Sequence, residues 1–218
     1  MTAKAIIFDL DGTLLDTLDD LAQATNRVLR TQGFPVHQVA AYRFFVGNGA
    51  RMLITRALPE TARQEAIIQQ CLPLMLADYA AHWRDVSRPY DGVPELLTAL
   101  QQTDLKLAIL SNKPHDFTLE CVRGLLPDWR FDYVLGQRDG QPPKPDPAGA
   151  LTIAAAFQID PADFLYVGDT NTDMQTANAA GMFPVGALWG FRPRAELVAN
   201  GARILLAHPL ELLALCAK

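Results

Sequence analysis

Short apolar runs that end in acidic or hydroxylated residues constrain this chain more than any other feature. Ala5 to Leu10 ends in Asp9-Leu10-Asp11-Gly12-Thr13, and Leu105 to Leu110 leads into Ser111-Asn112-Lys113. Tyr133 to Leu135, Phe164 to Val167 and Phe183 to Leu188 repeat the pattern, the second of them delivering Gly168-Asp169-Thr170-Asn171-Thr172-Asp173. Runs with no polar alternate face suit strands buried on both sides, as in a parallel sheet covered by helices. Helical stretches separate them: Pro94 opens Glu95 to Gln102, Pro114 opens the stretch to Arg123, and Pro147 opens Ala148 to Phe157. The alternation predicts an α/β fold with a doubly wound parallel sheet, whose ligands bind outside the carboxyl ends of the strands.

The rhythm breaks once, between Thr17 and about Asp85, where the pattern is helical throughout. Leu18 to Gln32 ends at Gly33, Val36 to Phe45 stops at Gly47-Asn48-Gly49, and Ala50 to Leu58 halts at Pro59. A last stretch runs from Glu60 to Trp83, with Pro73 expected to kink or break it. Residues 17–85 therefore read as a helical bundle inserted into a core formed by residues 1–16 and 86–218.

A net charge of −5 argues against general nucleic-acid affinity, which needs a basic surface. Cys71, Cys121 and Cys216 are odd in number and form no C-x-x-C pair, so they read as reduced thiols of a cytoplasmic protein. No apolar run is long enough to cross a membrane, and the start of the chain has no signal-peptide pattern. Monomer and homodimer are both compatible with the sequence.

The chemistry concentrates at the predicted strand ends. Asp9 and Asp11 face one crevice by alternation along extended chain. Asp169 and Asp173 arrive at the same sheet edge, and such a cluster of acids makes sense with a hard cation among them, magnesium being the expected ion; Asp173 also suits capping and dipole complementation of the helix from Met174 to Ala180. Ser111 and Asn112 precede a helix start and read as an anion site or an empty N-cap. Lys144, in Pro142-Pro143-Lys144-Pro145-Asp146-Pro147, brings a positive charge to that edge or lies in solvent.

These four elements in this order resemble the haloacid dehalogenase superfamily, in particular its phosphatases with a helical cap after the first strand. The motifs are Asp9-Leu10-Asp11-Gly12-Thr13-Leu14-Leu15-Asp16-Thr17, then Ser111, then Lys144-Pro145-Asp146, then Gly168-Asp169 through Asp173. The resemblance implies that Asp9 attacks phosphorus to give an aspartyl phosphate and that Asp11 exchanges the proton with leaving group and water. It implies magnesium held by Asp9, the Asp11 carbonyl and Asp169, with Asp173 in support. It also implies a phosphate cradle of Ser111, Lys144, Gly12, Thr13 and Asn112, acting on a small phosphate ester.

Asp11 separates the chain from the dehalogenases of that superfamily, which lack this acid. The segment from Thr17 to Asp85 has no lysine to form the Schiff base of phosphonatases, and Leu18-Asp19-Asp20-Leu21-Ala22 lacks the histidine of sugar phosphomutases. Phe44-Phe45-Val46-Gly47-Asn48-Gly49-Ala50-Arg51-Met52-Leu53 and Leu188-Trp189-Gly190-Phe191 look most like phosphoglycolate phosphatases. By that likeness Gly47, Asn48 and Gly49 approach the substrate and Arg51 meets its carboxylate, or else Arg51 is a solvated residue at a helix-helix turn. Phosphatases of sugar acid phosphates such as muramic acid 6-phosphate derivatives, pyrophosphatases and a non-catalytic binder on the same fold are the alternatives.

Overall fold

The computed structural model describes residues 3–216. Strand β1 (Ala5–Phe8) is followed by the short β2 (Leu15–Asp16), then by helices α1 (Leu18–Thr31), α2 (Val39–Tyr42), α3 (Gly49–Ala57) and α4 (Glu65–His82). The chain returns through β3 (Arg88–Pro89), α5 (Val93–Leu100), β4 (Lys106–Pro114), α6 (His115–Leu125), β5 (Tyr133–Gln137) and α7 (Ala148–Phe157). It finishes with β6 (Phe164–Gly168), α8 (Asn171–Ala179), β7 (Phe183–Ala187), α9 (Arg194–Ala199), β8 (Ile204–Leu206) and α10 (Leu213–Cys216).

Six strands form one sheet in the order β5-β4-β1-β6-β7-β8, every pair parallel. The predicted doubly wound sheet is thus present. Chain order moves outward from β1 to β4 and β5, then returns to β6 on the other side, so connections diverge around β1 and leave a crevice at its carboxyl end. Successive residues of β1 feed different cores. Ala5 and Ile7 pack with Ala108, Ile153, Phe164 and Tyr166 on the α7 and α8 face. Ile6 and Phe8 pack with Leu97, Leu107 and Val167 on the other face, and that second core continues without interruption into Leu21, Leu53, Met75 and Tyr79 of the helical insertion.

Three local expectations change. The stretch from Val36 to Phe45 is helical only over α2, because the buried Asn26 side chain takes up the backbone before it: Asn26 Nδ2 donates to the His37 carbonyl at 2.8 Å and Asn26 Oδ1 accepts from the His37 N–H at 3.0 Å. Tyr42 Oη donates to the same Oδ1 at 2.8 Å. Helix α4 runs unbroken through Pro73, which is exposed, so water can reach the carbonyl that the ring deprives of its partner. The brief β2, β3 and β8 are too short for an apolar period to reveal.

The two connectors to the insertion are joined to each other. β2 and β3 pair antiparallel, and the Tyr90 N–H donates to the Leu14 carbonyl at 3.1 Å. Asp20, buried in the first turn of α1, accepts from the Ser87 N–H at 2.9 Å, the Ser87 hydroxyl at 2.6 Å and the Val86 N–H at 3.2 Å. Its removal would leave those donors unpaired beside an apolar wall. Asp20→Ala is expected to lower the unfolding free energy by about 2–3 kcal/mol in urea titration. Asp104→Ala, at an exposed turn position, should change it by less than about 0.5 kcal/mol; equal effects would show that Asp20 ties nothing together.

Candidate active site

Strand β1 ends at Phe8, and the next residue, Asp9, lies buried at the centre of the sheet's carboxyl edge. Its Oδ1 accepts from the Leu10 N–H at 2.7 Å and meets the Lys144 ammonium at 2.8 Å. The tight turn that follows depends on Gly12, with φ of +90°: a Cβ there would strike the Asp169 carboxylate, so only glycine lets the turn approach that acid. The Gly12 N–H is committed to the Leu15 carbonyl at 2.8 Å. It serves the turn rather than a ligand cradle. Thr13 Oγ1 donates to Asp169 Oδ1 at 2.9 Å, while its carbonyl accepts from Trp189 Nε1 at 2.9 Å.

Asp169 and Asp173 reach the edge from the β6–α8 turn. Asp169 is fixed through both oxygens, by Thr13 and by the Phe191 N–H at 2.8 Å. Asp173 completes a capping box with Thr170: its Oδ2 accepts from the Thr170 N–H at 3.0 Å and from Oγ1 at 2.6 Å. Its Oδ1 holds the Lys144 ammonium at 2.7 Å. Capping and charge pairing therefore coincide in this one side chain, and its two oxygens are both engaged.

Lys144 is buried, donating also to the Leu110 carbonyl at 3.0 Å. Burial opposes its charge, but Asp173 and Asp9 more than offset that and raise its pKa well above the ordinary lysine value. Even so, burial and the neighbouring Asp173 push Asp9 well above the carboxylate range, against the pull of Lys144. Burial, again with Asp173, pushes Asp169 up to about 7. Oxygens of Asp9, Asp169 and Asp173 all lie within 4.8 Å of one another. One ammonium thus faces three buried carboxylates, and a hard divalent cation fits both the remaining negative charge and the all-oxygen donor set.

Asp11 stands at the cleft, held by groups outside the sequence-derived set. Its Oδ1 and Oδ2 accept from Lys113 Nζ at 2.9 and 3.0 Å, and Oδ1 accepts from Thr17 Oγ1 at 2.7 Å. Lys113 has a side chain only 4% exposed and lies 4.7 Å above the ring of Tyr79 from α4. Because β4 extends to Pro114, Lys113 is a strand residue two beyond Ser111, but the pairing register shifts between Leu110 and Pro114, so no regular alternation pointed to it. Nothing in the sequence marked Tyr79.

Asn112 is a bridge. Its Nδ2 donates to the Gly47 carbonyl at 3.1 Å and the Lys144 carbonyl at 3.0 Å, and its Oδ1 accepts from the Lys144 N–H at 2.8 Å. Ser111 Oγ accepts from the Lys113 N–H at 3.2 Å. Gly47 and Gly49 line the cleft above Asp9. Asn48 adds a contact to Thr172 Oγ1 at 3.2 Å and accepts from Arg56 at 2.8 Å. Arg51 is not among the cleft-lining residues; it is exposed, with its guanidinium paired to Glu65.

The same cleft is walled by Leu21, Leu53, Met75, Leu76 and Phe117. A charged floor on the sheet and an apolar roof from the helices would suit a small molecule with one anionic end.

The profile of the haloacid dehalogenase-like hydrolase family matches residues 6–187. The chain is 32% identical to the phosphoglycolate phosphatase of Pseudomonas putida, over 98% of this chain and 80% of that one. It is 36% identical to the phosphoglycolate phosphatase of Xylella fastidiosa, over 87% and 82% respectively. A crystal structure described as a predicted phosphoglycolate phosphatase, from Haemophilus somnus, superposes with a TM-score of 0.92 at 27% identity, covering 100% of this chain and 99% of that one. Its sheet, its acidic cluster and these matches together make the chain a member of the haloacid dehalogenase-like hydrolases.

Proposed function

We propose that this chain is a magnesium-dependent phosphomonoesterase that forms an aspartyl phosphate on Asp9 and acts on 2-phosphoglycolate. The observation that carries the reading is the buried Asp9 carboxylate, paired with Lys144 beside a cation-fitting acid cluster at the mouth of an apolar cleft. The relatives named phosphoglycolate phosphatase supply the substrate. Residues 17–85 act as the cap over the core.

Asp9 attacks phosphorus in line and the ester P–O bond breaks as the new acyl phosphate bond forms. Asp11, held at the cleft by Lys113 and Thr17, gives its proton to the departing alkoxide. Water then attacks the aspartyl phosphate, Asp11 takes a proton from it, and phosphate leaves as Asp9 is regenerated. A phosphate monoester carries roughly −1.5 to −2 charge at neutral pH, so Asp9 cannot approach it without compensation. Lys144 provides part of that from a fixed position, and Ser111 lies alongside. Asp9, Asp169 and the Asp11 carbonyl would hold the magnesium, with Asp173 fixing Lys144. When bound, the ion supplies the remaining neutralisation and alignment that phosphoryl transfer requires.

Asp9→Asn is expected to reduce phosphate release by more than about a thousandfold. Initial rates with phosphoglycolate, a muramic acid 6-phosphate derivative, pyrophosphate, sugar phosphates and nucleoside monophosphates, with magnesium and with chelator, check this. Full activity in the variant removes the nucleophile; strong preference for another ester replaces the substrate.

The acid cluster also predicts how magnesium and pH interact. Asp169 has a folded pKa near 7, above its ordinary 3.8, so the folded chain holds that proton more tightly than the unfolded chain. The stability it confers is complete below about pH 4 and is lost as pH rises through about 7. An ion held by Asp169 would compete with that proton, and so bind more weakly below about pH 7 than above it. The rise in thermal midpoint on adding magnesium should therefore be small at pH 5 and large at pH 8, and absent in Asp169→Asn. Equal shifts at both pH values would separate the ion from this cluster.

A further inference from the structure

Two polar groups in the cleft remain after the proposed mechanism has used its residues. Tyr79 projects from α4 into the wall above Asp11, is 2% exposed, and its hydroxyl has no hydrogen-bond partner among the described residues. A buried hydroxyl without a partner is costly, which points to a ligand group that satisfies it. Burial keeps the phenol protonated, so it is available as a donor. Beside it, the Lys113 ammonium spends two N–H groups on the Asp11 oxygens and has a third to give.

Apart from the Ser111 hydroxyl, which the proposed mechanism assigns to the phosphate, and the backbone at the start of α3, the rest of the wall offers a ligand little to bond. Leu21, Leu53, Met75, Leu76 and Phe117 are apolar, the Asn112 amide is committed to Gly47 and Lys144, and no arginine lines the cleft among the described residues. Hydroxyls of a sugar placed there would lose water and find few partners. A short anionic group would find one cation and one neutral donor on the same side.

We propose that Tyr79 Oη and Lys113 Nζ form the subsite that receives a carboxylate on the leaving group, and so set the preference for small carboxylate-bearing phosphate esters. This rests on the phosphatase reading above and names the residues that would read the substrate within it. Lys113 then joins two parts of the ester, touching the carboxylate of the leaving group while holding Asp11 against its ester oxygen. Specificity comes from the strand and α4 rather than from Arg51, which is turned to Glu65.

The test compares kcat/KM for 2-phosphoglycolate with that for ethyl phosphate, which replaces the carboxylate by a methyl group, in the wild type, Tyr79→Phe and Lys113→Gln. Tyr79→Phe keeps the ring that lies under Lys113, and its thermal midpoint is measured alongside. The ratio is expected to fall about 10- to 100-fold in Tyr79→Phe, the loss typical of a hydrogen bond to a charged group, and further in Lys113→Gln. A ratio unchanged in both variants, with a wild type that favours phosphoglycolate, overturns the subsite and leaves the substrate standing. A wild type that favours a longer carboxylate-bearing ester, with that preference lost in Tyr79→Phe, supports the subsite and overturns phosphoglycolate. A wild type indifferent to the carboxylate overturns both.

Discussion

Three parts of the chain that are distant in sequence converge on one buried ammonium. Lys144 binds Asp9 at the end of the central strand, Asp173 in the first turn of α8, and the Leu110 carbonyl within β4. An isolated lysine in that position would cost several kcal/mol through lost hydration, and isolated acids would cost as much. Together they offset one another in part, leaving an excess of negative charge where a cation fits. The carboxyl edge of the sheet can therefore be both closely packed and highly charged. Replacing Lys144 would leave the carboxylates without their fixed cation in a space that water reaches poorly.

Around that centre the structure separates holding from acting. Asp173 has both oxygens engaged and fixes the lysine; Asp169 is clamped by Thr13 and the Phe191 N–H; Gly12 admits the turn between them. Asp9 and Asp11 are the acids that also line the cleft. The rigid members come from strand ends and a helix cap, elements that cannot shift without disturbing a core on each face of the sheet. The apolar roof belongs to the insertion, whose own core is continuous with the sheet's.

Much of this was legible in the sequence because a parallel strand buried on both faces writes an unambiguous run. Ala5 to Leu10 and Phe164 to Val167 have no polar alternate, and their terminal carboxylates could only fall at the sheet's edge. The sequence was less informative where a tertiary contact overrode a local tendency. Asn26 holds the chain around His37 out of a helix that its composition allowed, and an exposed face let α4 pass through Pro73. Lys113 and Tyr79 were missed for a different reason: a lysine at the irregular end of a strand and a tyrosine in a long helix carry no local pattern, and their relation exists only across the fold. Arg51, singled out by its place after Gly47-Asn48-Gly49, lies on the outer side of α3 with Glu65.

The Asn112 amide joins the insertion to the core through its two N–H groups, one given to Gly47 and one to Lys144. The bond to Lys144 is secured by the reciprocal contact from the Lys144 N–H, so the bond to Gly47 is the weaker hold. Lifting Gly47 away would break that bond, and because both residues also line the cleft, water could take up the freed N–H. The amide is therefore riveted on the core side and only pinned on the side of the insertion.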